Sequence, residues 1–208
     1  RSFQYTTVEG GNVDAEEIEA AKADLDERTF QQEYEARFVN YSGIIYYAFN
    51  REESVRRGVL TDDLHIGMDF NLDPMSAVVC IREGQTLKAV DEIVMYGSNT
   101  DEMADEIKQR YPDRRITVYP DPASKQRKTS AGGRTDLSIL QNAGFTIKVR
   151  NSHPAIRDRI NAVNSRLCST TGVRALYVDP QCKQTIASLE RQTYKTGTSQ
   201  PNKDDGFD

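Results

Sequence analysis

The chain is poor in the residues that most often announce a chemistry. Only three cysteines and two histidines occur among its 208 residues. Cys80, Cys168 and Cys182 form an odd set without CxxC spacing, and Cys80 lies in an apolar, strand-like run. A disulfide framework and a zinc site are therefore not expected, and an intracellular protein is. His65 and His153 stand too far apart in sequence to suggest a ligand pair, so both are read as structural or exposed. GxSxG is missing, which leaves Ser/His/Asp nucleophilic catalysis without a local signature. GxxxxGK[ST] is missing too, so ATP hydrolysis is not expected of this segment. No apolar run is long enough to cross a bilayer, and the opening "RSFQYTTVEGGN" lacks the apolar region of a signal peptide. That opening reads as a cut from something longer. A formal net charge of −5 and a sequence pI near 5.2 speak against a generally basic nucleic-acid coat, while a local basic patch stays possible.

What is present reads as one domain with an irregular arm, since 37% hydrophobic content over this length supports a single good core. "NVDAEEIEAAKADLDERTFQQEYEARF" offers Asn12 and Asp14 as caps and acidic residues in its first turn, hence a helical arm broken near Asp26. "SGIIYYAF" is β-branched and aromatic and predicts a strand over 44–49, with "SVRRGV" as loop. "LHIGMDFNL", "SAVVCIREG" and "TLKAVDEIVMYG" follow in quick succession, separated by "DPM" and by "REGQ", which suits a hairpin turn. They predict an antiparallel meander. After it come an amphipathic helix capped at Asn99 or Thr100 and stopped by Pro112, a strand in "RITVYPD", a helix in "TDLSILQNAG" closed by Gly144, and a strand in "FTIKVR". "PAIRDRINAVNSRLC", "RALYVDP" and "CKQTIASLERQTY" supply a helix, a strand and a helix, and the polar "KTGTSQPNKDDG" reads as a mobile loop. There is no internal repeat. The order predicts a mixed α/β fold.

The stretch "HIGMDFNLDPMSAVVC" places Asp69 in a run that otherwise reads as a buried strand, where a carboxylate is costly unless paired, protonated or bound to a cation. Asp121 closes the strand after the first helix of the alternation. If those strands are neighbours the two acids meet, and their repulsion is relieved by a divalent cation between them. Oxygen ligands without nearby His or Cys suit Mg²⁺ or Mn²⁺, and a pair of such ions is a phosphodiester-cleaving device. Competing readings stand beside these. Asp69 also fits a strand-end acid bonded to backbone amides, and Asp121, between Pro120 and Pro122, fits turn chemistry. Asp73 before Pro74 is read as a turn residue and Asp179 before Pro180 as a loop cap, while Asp91 and Glu92 alternate faces on the third strand.

"DERTFQQEYEARFVNYSGIIYYAF", "IGMDFNLDPMSAVV", "DEIVMYGSNTDEMADEIKQRYP", "VYPDPASKQRKTS", "GGRTDLSILQNAGF" and "DRINAVNSRL", in that order, resemble the nuclease domain of the large terminase subunit of tailed bacteriophages. The resemblance runs over most of the chain. It implies an RNase H-like mixed sheet, an antiparallel meander plus parallel strands flanked by helices, with a two-ion Mg²⁺ or Mn²⁺ site held by Asp69 and Asp121. It implies an endonuclease that cuts concatemeric double-stranded DNA during genome packaging, in the cytoplasm of the infected host and transiently at the procapsid portal. The implied partners are an N-terminal ATPase domain, the portal and the small terminase subunit, with no membrane. Residues 1–60 then read as an arm and first strand left from the connection to the ATPase domain, and 61–208 as the nuclease domain. The family usually adds a third acid from a late segment in which a loop with Asp and Gly runs into a His and then Asp-Ala. The sequence ends at "NKDDGFD", so that acid is expected beyond Asp208, with Asp204, Asp205 or Asp208 as substitutes.

The basic loop "SKQRKTSAGGRTD" puts Lys125, Arg127, Lys128 and Arg134 directly after Asp121, a grouping that suits sequence-independent phosphate contact as well as a solvated loop. Arg150, Arg157 and Arg159 form a weaker second group. Two other functions compete with the nuclease: a catalytically silent module docking to DNA or portal, and another RNase H-like enzyme such as a resolvase. The silent module is told apart by the third acid, and the resolvase does not account for the "DERTFQQEYEARF" arm.

Overall fold

A computed structural model of the chain describes residues 5–11, 13–37, 43–71, 73–121, 135–150, 152 and 154–203. They form two units, each drawn from separate stretches of chain: Arg1–Arg56, Pro154–Tyr177 and Lys183–Asp208 in the first, Arg57–His153 and Val178–Cys182 in the second.

Helices make up the first unit. α1 (Thr7–Gly10), α2 (Ala15–Asp24) and α3 (Glu27–Glu33) form the N-terminal arm, joined by α4 (Arg51–Ser54). The arm breaks where the sequence places the break. Asp26 caps α3, accepting from the Thr29 amide at 3.2 Å and the Thr29 hydroxyl at 2.6 Å. Its carboxylate is buried and also takes the Tyr47 hydroxyl. Burial first, and the Asp26 carboxylate second, hold that hydroxyl above its ordinary pKa. The strand expected over 44–49 does not form; Ile44 makes one isolated bridge to Thr193, and turn backbone follows. The cause is local competition for its backbone groups. The Asn164 side chain donates to the Ile45 carbonyl at 3.0 Å and accepts from the Ala48 amide at 3.4 Å, while the Ile45 amide goes to the Gln192 carbonyl at 2.9 Å. Asn164 lies on α7 (Ile156–Leu167), and α8 (Lys183–Arg191) completes the unit, its Glu190 held by a bidentate Arg51 at 2.7 Å for both bonds. The polar stretch after α8 closes into a turn, with Lys195 N–H on the Gln200 carbonyl at 2.8 Å and a bridge between Tyr194 and Pro201.

The second unit is built on a sheet. β1 (Asp63–Asp69), β2 (Met75–Glu83) and β3 (Thr86–Met95) form the expected antiparallel meander. Gly84, at φ 60°, opens the two-residue turn between β2 and β3, a backbone position that costs other residues strain. α5 (Thr100–Arg110) then carries the chain across, started by a reciprocal capping box between Asn99 and Glu102. The return strand β4 (Arg115–Pro120) pairs in parallel with β1. α6 (Asp136–Asn142) leads to β5 (Thr146–Ile147), shorter than "FTIKVR" suggests and parallel to β4. With β6 (Leu176–Val178) on the far edge, the strand order is β5-β4-β1-β2-β3-β6. The sheet is mixed, as expected of an antiparallel meander extended by parallel strands.

One face of this sheet carries the core. Leu64, Ile66 and Met68 of β1, Met75, Ala77, Val79 and Ile81 of β2, and Val118 of β4 alternate onto it and pack with Met103 and Ile107 of α5 and Leu140 of α6. A bulge opposite Val79 and Cys80 inserts Val90 into β3 without a partner in the ladder. Val90 is buried, and a Cβ added to Gly58 would sit 2.4 Å from its Cγ1. Beyond the bulge, Asp91 takes the Tyr111 hydroxyl at 2.5 Å and lies 3.5 Å from Arg110.

Candidate functional site

The opposite face of β1 presents Asp63, His65, Gly67 and Asp69, and that of β4 presents Arg115, Thr117 and Tyr119, none of them buried. Direct register partners across the two strands are Asp63 with Arg115, His65 with Thr117 and Gly67 with Tyr119. At the start of the strands Arg115 forks onto Asp63 at 2.5 and 2.7 Å, a hydrogen-bonded pairing that holds the Asp63 carboxyl below the usual carboxylate range. Tyr119 reaches diagonally to His65, its hydroxyl 3.2 Å from Nδ1 and the rings 5.9 Å apart.

At the other end stand the two predicted acids. Asp69 is the last residue of β1, and Asp121 follows the last residue of β4. The register ends at Met68 opposite Pro120, and the Asp121 amide still donates to the Met68 carbonyl at 3.3 Å. Parallel pairing therefore brings both acidic residues to the same end of the sheet, about one interstrand spacing (~4.8 Å) apart at the backbone. Asp69 is exposed, not buried as its apolar neighbours suggest, because the inward alternation takes Leu64, Ile66 and Met68 and the strand ends with it. Burial therefore does not set the surroundings of this carboxylate; its neighbour across the strand ends is Asp121. Asn71, which the sequence reading missed, donates from Nδ2 to Asp69 Oδ2 at 2.9 Å. A polar residue two positions past a strand-end acid is the available signal.

The remaining candidates separate cleanly. Asp179 accepts from the Gln181 amide at 3.0 Å and the Gly58 amide at 2.8 Å, the loop cap expected of it. Asp73 is exposed in the turn before Pro74. Lys125, Arg127, Lys128 and Arg134, together with Asp204, Asp205, Asp208 and His153, lie outside the described residues. Arg157 and Arg159 are exposed on α7 in the first unit, with Arg157 within 3.8 Å of Glu33, whereas Arg150 is exposed in the second unit. Among the described residues no group of three or more His, Cys, Asp and Glu is placed to hold a metal ion, so Asp69 and Asp121 stand as a two-acid edge. A cavity of about 330 Å³ in the first unit is lined by Ile18, Phe30 and Tyr34 with Lys22 and Arg37, and it holds no acid pair of this kind.

Oxygen-only donors at the ends of adjacent parallel strands, on a meander-plus-parallel sheet with helices packed on it, define an RNase H-like α/β domain. The family model of the Terminase RNaseH-like domain matches residues 66–208, and the chain belongs to that family. A search of curated proteins finds no match. Among solved structures, the large terminase of a thermophilic bacteriophage superposes with a TM-score of 0.75 at 16% identity, covering 96% of this chain and 51% of that one. The chain thus spans about half the length of that relative. The P22 large terminase nuclease domain gives 0.60 at 13% identity, covering 78% of this chain and 84% of that one. The nuclease domain of the large terminase of bacteriophage SPP1, solved with bound Mn, gives 0.50 at 17% identity, with coverages of 79% and 93%. At these identities the likeness is one of fold.

Proposed function

We propose that this chain is a metal-dependent endonuclease domain of a phage large terminase subunit, cutting double-stranded DNA during genome packaging. The observation that carries the reading is the delivery of Asp69 and Asp121 to one sheet edge by the parallel β1–β4 pairing. An exposed Asp69 and a half-buried Asp121 on adjacent strand ends suit Mg²⁺ or Mn²⁺, and the Mn in the SPP1 domain supports that choice. Bound there, such ions supply a water of lowered pKa and charge stabilisation at the leaving oxygen. Asp69 and Asp121 hold the ions, and Asn71 fixes the rotation of the Asp69 carboxylate. Lys125, Arg127, Lys128 and Arg134, which follow Asp121 in sequence, are the DNA-contacting group of the reading. The third carboxylate of the reading is expected beyond Asp208, with Asp204, Asp205 or Asp208 as substitutes. The partners of the reading are duplex DNA, an N-terminal ATPase domain, the portal and the small subunit, in the cytoplasm of the infected host.

A plasmid cleavage assay tests this. Supercoiled DNA incubated with the chain, with its Asp69→Ala and Asp121→Ala variants, and with a form extended past Asp208 is run out in Mn²⁺, Mg²⁺ or EDTA. Nicking and linearisation that need metal and fall by about 100-fold or more in either variant are expected. Metal-dependent cutting that survives both substitutions would remove Asp69 and Asp121 from the site. An absence of cutting by every form in any metal would leave the silent binding module.

A further inference from the structure

Gly67 is the only glycine inside a described strand. Glycine mid-strand costs conformational entropy and forgoes packing, so it marks a bulge, a bend or a close approach. The first two do not apply. Its φ is not positive, and its ladder runs on unbroken to Val78 on one side and to Tyr119 on the other. Nor does the protein crowd it: a Cβ built on Gly67 meets nothing within 4 Å among the described residues. The described fold gives no reason for the missing side chain. Tyr119, its register partner, does not fill the gap either, being tied to His65 one step further from the acids. What results, among the described residues, is a notch of bare backbone on an exposed face, two residues and roughly 7 Å from Asp69. The Tyr119–His65 pair walls one side of it.

We infer that this notch admits the sugar–phosphate backbone of the DNA strand next to the scissile phosphate, with Tyr119 and His65 as positioning residues. The inference rests on the nuclease reading and adds a subsite to it. A backbone that reaches the edge at Asp69 and Asp121 along this face crosses Gly67, where a side chain would hold it off the acids. The hydrogen-bonded Tyr119–His65 pair keeps one donor for a phosphate oxygen there, Nε2–H or the phenol O–H according to the imidazole tautomer, and the Tyr119 ring, 40% exposed, offers a face to a sugar. Base edges are not engaged by these groups, so the contact is indifferent to sequence.

The test uses Gly67→Ala, Gly67→Val, Tyr119→Phe and Tyr119→Ala, each measured for melting temperature, for the Mn²⁺-induced rise in that temperature, for duplex binding by fluorescence anisotropy in EDTA, and for Mn²⁺-dependent cleavage. Gly67→Val should melt at or above the parent temperature and keep the Mn²⁺-induced rise. It should weaken duplex binding about tenfold and raise KM to match, with kcat little changed, and Gly67→Ala should fall between. Tyr119→Ala should weaken binding and raise KM in the same way, and Tyr119→Phe should restore part of the loss. A Gly67→Val protein that binds and cuts as the parent does would overturn the notch and leave the nuclease reading intact. Marked loss of melting temperature in Gly67→Ala would also overturn it, by showing that the fold itself requires glycine. Should the parent bind duplex without cutting, the anisotropy series decides alone; should it do neither, the subsite and the nuclease reading fall together, whereas loss of the Mn²⁺-induced rise in Asp69→Ala alone still marks the metal edge.

Discussion

Asp69 illustrates how a single residue is misjudged when the neighbours in sequence stand in for neighbours in space. Its flanks Ile66, Met68 and Phe70 suggest an interior position, yet the strand alternation leaves it on the exposed face at the strand end. On the proposed reading, function and stability would pull in opposite directions at this carboxylate. Without a cation, Asp69 and Asp121 repel across adjacent strands, and removing one charge relieves the other. Asp69→Asn should therefore melt no lower than the parent in EDTA, with any gain shrinking as NaCl is raised, and should lack the rise in melting temperature that the proposed metal site predicts for the parent in Mn²⁺. Melting curves at low and high salt, with and without Mn²⁺, check both halves. A clear loss of stability in EDTA would mean that the carboxylate serves the fold through its hydrogen bond with Asn71.

At the scale of elements, the readable parts were those with their own punctuation. α5 has a capping box at Asn99 and Glu102 and a proline stop, and the β2–β3 hairpin has Gly84; both are where the sequence puts them. "SGIIYYAF" fails as a strand because residues more than a hundred positions away, Asn164 and Gln192, take its backbone groups, and no local pattern carries that information. The neighbouring of Asp69 and Asp121 was conditional in the sequence for the same reason: the alternation of elements suggests parallel strands, but only the pairing decides which are adjacent. The bulge at Val90 is a further non-local feature, and it makes a prediction. Gly58→Ala drives a methyl into Val90 Cγ1 and should cost about 1–3 kcal/mol in urea unfolding, whereas Val90→Ala, by opening space there, should recover part of that loss in the double variant. Additive losses would mean that the two residues do not share the contact.

For the molecule as a whole, the titrating groups with resolved upward shifts lean the same way. Burial pushes the Cys80 and Cys182 thiols up to about 12, the second helped by Glu92, Asp91 and Asp179 nearby. Burial, then the partner carboxylates Asp26 and Asp91, raise the Tyr47 and Tyr111 hydroxyls. For each, the folded state holds its proton more tightly than the unfolded chain. Their contribution is complete below the ordinary values, about 8.5 for a thiol and about 10 for a phenol, and declines as pH climbs past them. Urea unfolding between pH 7 and 10.5 should show a plateau up to about pH 8.5 and then a steady fall, and Cys80 and Cys182 should react with a thiol reagent at pH 8 only after unfolding. Stability that rises above pH 9 would contradict the assignment of all four groups.

The parallel pairing of β1 with β4 also has a bearing on timing. A hairpin such as β2–β3 closes on itself early, but β4 can dock beside β1 only after the chain has run through both meander turns and the whole of α5. Until that late, long-range step, the first carboxylate has been made and the second has no fixed place near it. On the nuclease reading proposed above, a nascent or half-folded chain would be inert toward DNA, and competence to cut would arrive together with completion of the sheet.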